Sequence, residues 1–170
     1  GDDNVARLER ITAEPDYPVR IVPAYLSLDG SLNREAGTAR VRERMARNTG
    51  KLRFGAIKIV VDGSIQGFTA RLRWPGYFNG HANGIWIAPP AELRATIEHF
   101  HAAGLQLHIH ANGDEATELA LDAIEEALAQ HPRADHRHTL QHCQMADAAQ
   151  FRRMATLGVG ANLFANHIYY

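Results

Sequence analysis

The sequence predicts an α/β fold in which a mostly parallel sheet alternates with helices. β-rich stretches and helical stretches follow one another along the 170 residues, with no linker between them. Strands that alternate with helices typically form βαβ units on a parallel sheet. Two architectures accommodate this order, a doubly wound sheet or part of a (β/α)8 barrel. A complete barrel takes about 250 residues, so a chain of this length holds only a portion of one.

The composition is that of one ordinary globular domain. Hydrophobic residues make up 45% and charged residues 22% of the chain, which suits a protein that buries a core. The net charge of -1 gives no reason to expect nucleic acid or an anionic membrane as partner. A single cysteine, Cys143, excludes an internal disulfide and fits a reducing compartment, so we expect a cytoplasmic location. The 10 histidines are many for this length and point towards metal.

The first 50 residues contain one predicted strand between two predicted helices. Residues 1–16 carry apolar side chains at helical spacing, which predicts the end of a helix. Residues 19–28 are β-rich, and Pro23 within them indicates a bend. Residues 33–48 have the pattern of an amphipathic, strongly basic helix that Gly50 closes.

Residues 54–61 form the second predicted strand, which carries an unusual lysine. Side chains alternate between the two faces of a strand, so Lys58 and Asp62 share one face. An unpaired ammonium is costly to bury. An ion pair with Asp62, or a role in binding a substrate anion, is the simplest explanation of Lys58. Asp62 and the two residues after it end the strand.

The stretch at residues 65–89 has no sustained period and contains several aromatic side chains among glycines. Loops of this length in compact domains are usually functional or disordered, and the aromatic content argues against disorder. We therefore interpret it as a lid or a substrate wall. The candidate substrate-binding residues are Ser64, Trp74, Tyr77, Phe78 and Trp86.

The second half of the chain continues the alternation. The predicted strands are residues 105–110, 138–142 and 158–164. The predicted helices are residues 90–103, 115–130 and 148–157. Asp114 and Asp147 are the expected N-caps of the last two helices, because a side-chain oxygen at that position accepts a hydrogen bond from a free backbone N–H.

Histidines lie near the ends of two of these strands. His108 and His110 share a face of one strand, at the end where α/β proteins carry their chemistry. In a parallel sheet, His138 and His142 are expected beside them on the next strand, with Lys58 deeper. A divalent metal needs several convergent donors, which neighbouring strands can offer. A lysine joins such a site only if carbon dioxide converts its amine to a carbamate. The simpler interpretation is histidines that hydrogen-bond in a barrel interior.

Three motifs in order resemble the metal-dependent amidohydrolases. They are Ile57-Lys-Ile-Val-Val-Asp-Gly-Ser-Ile-Gln-Gly67 followed by Thr69-Ala70, then His110-Ala-Asn-Gly-Asp114, then Leu140-Gln-His-Cys-Gln144. The most similar subgroup contains N-substituted formamide deformylase. The resemblance runs from about residue 19 to the C terminus, and each motif alone would be weak.

The resemblance implies a (β/α)8 barrel with one or two divalent ions, usually zinc, at the carboxyl rim. By position, Lys58 matches the carboxylated lysine, and His110 and His142 match the ligands of the fifth and sixth strands. Asp62 matches the motif beside the site, so the implied catalytic set is Lys58, Asp62, His110 and His142. Gln141 departs from the glutamate that commonly precedes the sixth-strand histidine, and we expect it to face outward. Asp114 is expected to orient the turn and His108 to be an interior group.

Two parts of the family pattern have no counterpart here, the His-x-His of the first strand and the aspartate of the last strand. We therefore expect residues 1–170 to form a single incomplete TIM-barrel catalytic domain, roughly strands three to seven, without the first strands and the last. The implied reaction is hydrolysis of C–N bonds in a small amide, formamide or N-acyl substrate through a metal-activated water. We expect the chain alone to be inactive, and to form a homo-oligomer or pair with the missing parts of the barrel. The alternative is a metal-independent TIM-barrel enzyme that uses Lys58 as a Schiff-base or proton-transfer group.

Overall fold

A computed structural model describes residues 2–27 and 34–164. Residue 28, the last of the first predicted strand, and residue 33, the first of the predicted basic helix, lie outside the described residues. The strands are β1 (Ala24–Ser27), β2 (Ala56–Val60), β3 (Gln106–Ala111), β4 (Thr139–His142) and β5 (Gly160–Leu163). The helices are α1 (Asp2–Thr12), α2 (Arg34–Met45), α3 (Pro90–Ala102), α4 (Asp114–Gln130) and α5 (Ala148–Leu157).

The five strands form one sheet in the order β1-β2-β3-β4-β5, and each neighbouring pair is parallel. A doubly wound sheet reverses its strand order at a switch point. Here the spatial order equals the chain order, as in a (β/α)8 barrel. The predicted fold class, a partial barrel with alternating helices, is confirmed. Among the described residues, no helix combines the length and apolar character that crossing a bilayer requires.

The hydrophobic core lies between the sheet and the helices. Alternate residues of the central strands are fully buried there, for example Ile57, Leu107 and Leu140, and they pack against apolar residues of the helices such as Ile97 and Ile124. Each buried aliphatic side chain of this kind contributes about 1.5–3 kcal/mol to folding. The opposite side of the sheet, here called the inner face, carries half-buried polar residues of β2, β3 and β4.

Helix starts agree with the sequence at one predicted cap and differ at the other. Asp147 caps α5, because its carboxylate accepts the backbone N–H of Gln150 at 2.8 Å. The Gln150 side-chain oxygen in turn accepts the backbone N–H of Asp147 at 3.2 Å. The prediction that Asp114 caps α4 is wrong, since Gly113 occupies that position without a side-chain hydrogen bond. The Asp114 carboxylate instead accepts the backbone N–H of Arg73 at 2.9 Å. The same oxygen also accepts the backbone N–H of Glu115 at 3.0 Å, so it serves both the long loop and the first turn of α4.

The first predicted strand and helix are shorter than the sequence pattern suggests. β1 begins just after Pro23, whose missing N–H suits the edge of a ladder. α2 ends at Met45, and the side chain of Asn48 then bonds the backbone of Phe54 in both directions. Because those bonds fix the chain as it enters β2, the helix cannot continue to residue 48.

Candidate functional site

The parallel register places side chains of four strands in one row near the carboxyl rim. Val60 pairs with His110, His110 with Gln141, and Gln141 with Asn162. Lys58 pairs with His108 one layer below. Two residues along a strand span about 6.6 Å, so Lys58 lies on the same inner face as His110 but deeper.

His142 reaches this row through an unusual backbone. Strand alternation would place it with Leu140, on the helix side of the sheet. Its φ is +76° and that of Cys143 is +50°, in the left-handed region that costs a non-glycine residue about 1–3 kcal/mol. The His142 ring lies 4.7 Å from the His110 ring, centroid to centroid, at an angle of 71°. The strained turn therefore brings together two imidazoles from neighbouring strands.

Asp62 is a buried carboxylate that organises the backbone around His110. It has no solvent exposure and accepts the backbone N–H groups of Arg71, Asn112 and Gly113 at 3.0, 2.9 and 2.8 Å. Burial raises the pKa of Asp62, and these three hydrogen bonds partly offset the rise. One carboxylate thus joins the end of β2, the loop after it and the turn after β3.

The hydrogen bonds of His110 define its tautomer. Its Nε2 lies 2.8 Å from the Gly63 carbonyl oxygen and 3.5 Å from Asp62 Oδ1, so this nitrogen carries the proton and donates it. The Asn112 side-chain amide donates to the same carbonyl at 2.7 Å. His110 is left with the lone pair of Nδ1, the nitrogen suited to binding a metal.

Lys58 has none of the carboxylate partners that its simplest explanation requires. Within residues 2–27 and 34–164 it forms no ion pair with Asp62, whose oxygens are taken up by backbone N–H groups. Burial lowers the pKa of Lys58. Burial, with the charge of Lys58, also lowers the pKa of His108 beside it. The interpretation of Lys58 as the ion-pair partner of Asp62 is therefore wrong.

Arg71 fastens the long loop to the rim. Its guanidinium makes a two-pronged contact with Glu115, with Nε 3.0 Å from one carboxylate oxygen and a terminal nitrogen 3.1 Å from the other. It also donates to the Gly84 carbonyl at 3.1 Å and lies 4.8 Å from the centre of the Trp86 ring. Bidentate pairs of this type are geometrically specific, so the loop has a fixed position.

The loop crosses the turn between β3 and α4 at very close range. A Cβ added to Gly113 would lie 1.7 Å from the Arg71 carbonyl oxygen, and that oxygen accepts the Glu115 N–H at 3.2 Å. Only glycine allows two backbones to approach in this way. This crossing covers Asp62 and one side of the turn that follows His110.

The five predicted substrate-binding residues divide into two groups. Ser64 accepts the Gly67 N–H at 3.1 Å, Tyr77 donates to the Ala70 carbonyl at 2.9 Å, and Trp86 lies under Arg71. These three stabilise the loop itself. Trp74 and Phe78 are 94% and 98% exposed. A role for all five in substrate binding stays a prediction.

Two predicted orientations in the fourth strand are wrong. His138 was expected on the inner face with His142, but it is buried on the helix side and bonded to His101. Gln141 was expected to face outward, but it pairs with His110 and accepts a hydrogen bond from Asn162 at 2.7 Å. Both errors have one cause. The prediction placed His142 on the inner face by strand alternation and assigned the other residues of the strand accordingly, but the left-handed backbone at His142 breaks the alternation.

Several residues of the site carry no recognisable signal in the sequence. Asn112 lies in the His110-Ala-Asn-Gly-Asp114 motif, but its bond to Gly63 depends on the spatial neighbourhood of two strand ends. Arg71 and Glu115 are 44 residues apart in the chain. Gly113 is the signal that could have suggested a close backbone approach.

The donors present fit part of a metal site. His110 and His142 offer imidazole nitrogens from adjacent strands, and imidazole suits zinc and related ions. In the part of the chain that the structure describes, no three His, Cys, Asp or Glu side chains converge around one point. Cys143 packs with the hydrophobic core, and burial raises the pKa of its thiol to about 11. Any further donor must be a modified Lys58 or come from outside this set.

Comparison with known proteins assigns the family. A model described as "Amidohydrolase family" matches residues 1–169. The chain belongs to the amidohydrolase family. It is 34% identical to the putative amidohydrolase YtcJ of Bacillus subtilis (strain 168) over 111 residues, which is 65% of this chain and 20% of that protein. It is 29% identical to the protein LONG AFTER FAR-RED 3 of Arabidopsis thaliana over 118 residues, which is 69% of this chain and 20% of that protein.

Solved structures of two metal-dependent hydrolases are also similar. An uncharacterized metal-dependent hydrolase from Pyrococcus furiosus has a TM-score of 0.68 and 27% identity, over 95% of this chain and 31% of that one. A second such hydrolase, from Pyrococcus horikoshii OT3, has a TM-score of 0.69 over 95% of this chain and 30% of that one, at 20% identity, which supports the fold alone. The chain spans 20% of the length of the curated relatives it matches.

Proposed function

We propose that this chain is the middle part of a metal-dependent hydrolase that cleaves C–N bonds in amide, formamide or N-acyl substrates. The observation that carries the proposal is the pair of imidazoles, His110 and His142, 4.7 Å apart at the carboxyl rim of a parallel sheet. Barrel enzymes have their active sites at this rim. Membership of the amidohydrolase family and the Pyrococcus furiosus neighbour, a metal-dependent hydrolase at 27% identity, support the same reaction class.

His110 and His142 would hold the ion, His110 through Nδ1. The Gly63 carbonyl and Asp62 keep the His110 ring in the required tautomer and orientation. Asp62 therefore contributes by positioning His110, since its oxygens are occupied by backbone N–H groups. A divalent ion such as zinc, bound singly or as a pair, would polarise the substrate carbonyl and lower the pKa of a water molecule to about 7.

Lys58 would contribute a carbamate if two ions are bound. Carbon dioxide reacts with a neutral amine, and burial lowers the pKa of Lys58, which favours that form. The carbamate carries a negative charge on two oxygens and suits a position between two cations. The amine lies on the half-buried inner face beside His108, and no carboxylate among residues 2–27 and 34–164 is paired with it.

The substrate side of the proposal uses the long loop. Trp74 and Phe78 project from a loop that Arg71 fixes in place, and they would contact an apolar substituent of the substrate. Ser64, Tyr77 and Trp86 would support that surface. A formamide or related N-substituted amide fits such an apolar contact next to a polar rim. A cytoplasmic location, consistent with a lone buried thiol, is part of the same proposal.

The proposal places further metal ligands and a proton-transfer group on strands beyond these 170 residues. Two imidazoles hold a divalent ion less well than the three or four protein ligands of typical zinc sites. The chain by itself would then be inactive, and it would pair with the remaining strands of the barrel or with another copy along its exposed strand edges.

The test is metal content and hydrolysis in the natural full-length polypeptide. His110→Ala and His142→Ala are each expected to lose bound metal and to lower kcat/KM on N-formyl and N-acetyl amines by more than about 100-fold. His131→Ala is the control, because its ring lies on the surface near the other end of the sheet. Retained metal and rate in both rim variants would exclude the assignment.

A metal-independent reaction through Lys58 is the second candidate. The lowered pKa of this lysine favours it, because a neutral amine is the form that attacks a carbonyl. It predicts activity that chelators leave unchanged, and borohydride trapping of a carbonyl compound on Lys58. Loss of activity on chelation, with recovery when zinc is added back, would reject it.

A further inference from the structure

A second group of histidines lies at the opposite end of the sheet from His110. His101, His136 and His138 are 1%, 2% and 0% exposed. His101 is near the end of α3, and the other two enter β4. This base cluster joins elements that are distant in the chain, and the rim chemistry does not use it.

The hydrogen bonds of the base cluster define which nitrogens carry protons. The Leu107 backbone N–H donates to His138 Nδ1 at 3.1 Å, so His138 must carry its proton on Nε2. That nitrogen lies 2.8 Å from His101 Nδ1, which therefore accepts. His101 Nε2 then donates to the His131 carbonyl oxygen at 2.8 Å. A single chain of hydrogen bonds runs from β3 through two neutral imidazoles to the end of α4.

A branch extends the chain of bonds to α5. The His138 backbone N–H donates to His136 Nδ1 at 2.9 Å, and His136 Nε2 lies 2.8 Å from the Leu157 carbonyl oxygen, to which it donates. The three rings thereby bond β3, the entry to β4, and the ends of α4 and α5. Every ring nitrogen of the base cluster has one partner, and each ring is neutral because its Nδ1 must accept a hydrogen bond.

The charged surroundings oppose an additional proton. Arg133 lies within the cluster and donates to the carbonyl oxygens of His101, Leu105 and His136 at 3.3, 3.2 and 3.5 Å. Asp135, an acid beside Arg133 and His136, is exposed and paired with Arg137. The other titratable groups that face the two linked rings are His108, His131 and His136.

The pKa shifts of the two linked rings agree with this geometry. Burial lowers the pKa of His138 to about 2, with His136, His101, Arg133 and His108 adding to the effect. Burial also lowers the pKa of His101, as do Arg133 and the neighbouring histidines, against a raising contribution from its bond to His131.

We propose that His101 and His138 form an acid-released latch that holds β3, β4, α3 and α4 together at the base of the sheet. Opening the latch exposes both rings to water, where a histidine takes up a proton near pH 6.5. The closed form cannot take up that proton without losing an acceptor. The stabilisation that the latch contributes is therefore fully present above pH 6.5, and it is lost progressively as the pH falls below that value.

The size of the effect follows from proton linkage. Between pH 7.5 and pH 5, the opening equilibrium constant is expected to rise about 30-fold for each histidine that stays neutral in the closed form. Carboxylates with ordinary pKa values near 4 titrate mostly below this window. Amide hydrogen exchange of the full chain, read at Leu107 and His138, measures opening directly because those N–H groups donate to rings of the cluster.

His101→Gln tests the latch with a near-isosteric side chain. Its amide oxygen can accept from His138 and its amide nitrogen can donate to the His131 carbonyl, but it does not titrate. In this variant, the rise in the opening equilibrium constant between pH 7.5 and pH 5 is expected to be about 30-fold smaller than in the wild type. The exchange rates at pH 7.5 are expected to be similar to those of the wild type. His131→Gln is the matched control, because only the backbone carbonyl of His131 takes part, and it should keep the full dependence. Equal pH dependence in wild type and His101→Gln would overturn the proposal.

Ring nitrogen spectra of the wild type provide a readout that no unfolded variant can obscure. With 15N-labelled histidine, His101 and His138 are expected as neutral rings with the proton on Nε2, unchanged from pH 7.5 to pH 5 in the folded protein. A ring that titrates in this range while folded, or one with its proton on Nδ1, would also overturn the proposal.

Discussion

The two ends of one sheet carry histidines with opposite surroundings. At the base, His101 and His138 are buried and have a partner for each ring nitrogen. At the rim, His110 keeps the lone pair of Nδ1, and the His142 ring beside it is held by left-handed backbone. A buried imidazole whose hydrogen bonds are complete stabilises the fold. An imidazole with an open acceptor and a strained neighbour is available to a ligand.

The largest expected effect is on stability at the base. His138→Ala leaves the Leu107 N–H and the His101 ring without their buried partner, and each unsatisfied group costs about 1–3 kcal/mol. We expect the free energy of unfolding to fall by about 4 kcal/mol in urea titrations. His110→Ala at the rim is the comparison, with an expected loss below about 1.5 kcal/mol. Equal losses would mean that the two ends do not differ in role.

The next effect concerns the loop that covers the rim. Gly113→Ala puts a methyl group 1.7 Å from the Arg71 carbonyl oxygen, so the loop must move or the turn must open. We expect a loss of about 3 kcal/mol and faster protease cleavage between residues 63 and 88. The control is Gly50→Ala, where nothing lies within 4 Å of the added carbon. If Gly113→Ala behaves like this control, the loop does not rest on the turn.

A smaller effect is expected at the buried carboxylate. Asp62→Asn keeps the size of the side chain but replaces one acceptor oxygen with an NH2 group that faces a backbone N–H. Because both oxygens accept in the wild type, we expect a loss of about 2 kcal/mol. Metal affinity should also fall, because His110 loses its support.

Asp135→Asn is the comparison for this variant, since Asp135 is exposed and bonded to Arg137. It should leave both the unfolding midpoint and metal affinity unchanged. An Asp62→Asn protein with wild-type stability would show that the three backbone hydrogen bonds do not determine the rim geometry.

The smallest effect is expected at the contact between Arg71 and Glu115, which fixes the long loop. Arg71→Lys keeps the positive charge but cannot make two parallel contacts with Glu115. We expect a loss of about 1 kcal/mol, with protease sensitivity confined to the loop. Unchanged sensitivity would mean that Trp86 and the close backbone crossing hold the loop without the arginine.

Most of the fold could be predicted from the sequence because alternation and helical period are local properties. The predicted strands at residues 54–61 and 105–110 contain β2 and most of β3, and alternation gave the inner-face side of Lys58 and His110 correctly. The alternation of side chains between the two faces did not hold at the end of β4, where a positive φ at His142 turns its ring back to the rim. Such backbone strain depends on tertiary contacts and leaves no local pattern.

The rest of the site depends on contacts between distant residues. A catalytic role for Asp62 stays a prediction, while its three bonds to backbone N–H groups from two other segments have no signal in the sequence. Asp114 looked like a cap, but the loop uses its carboxylate. His138 looked like a partner of His142, although it belongs to the base cluster. The role of an aspartate or a histidine depends on its neighbours in space, and those neighbours cannot be identified from the sequence.

The most direct test of the account is a zinc titration of the natural full-length polypeptide, read at the histidine ring nitrogens. The account predicts that His110 Nδ1 and the His142 ring shift together at the same zinc equivalent, while the rings of His101 and His138 keep their positions. Zinc-induced shifts at the base, or none at His110 and His142, would contradict it.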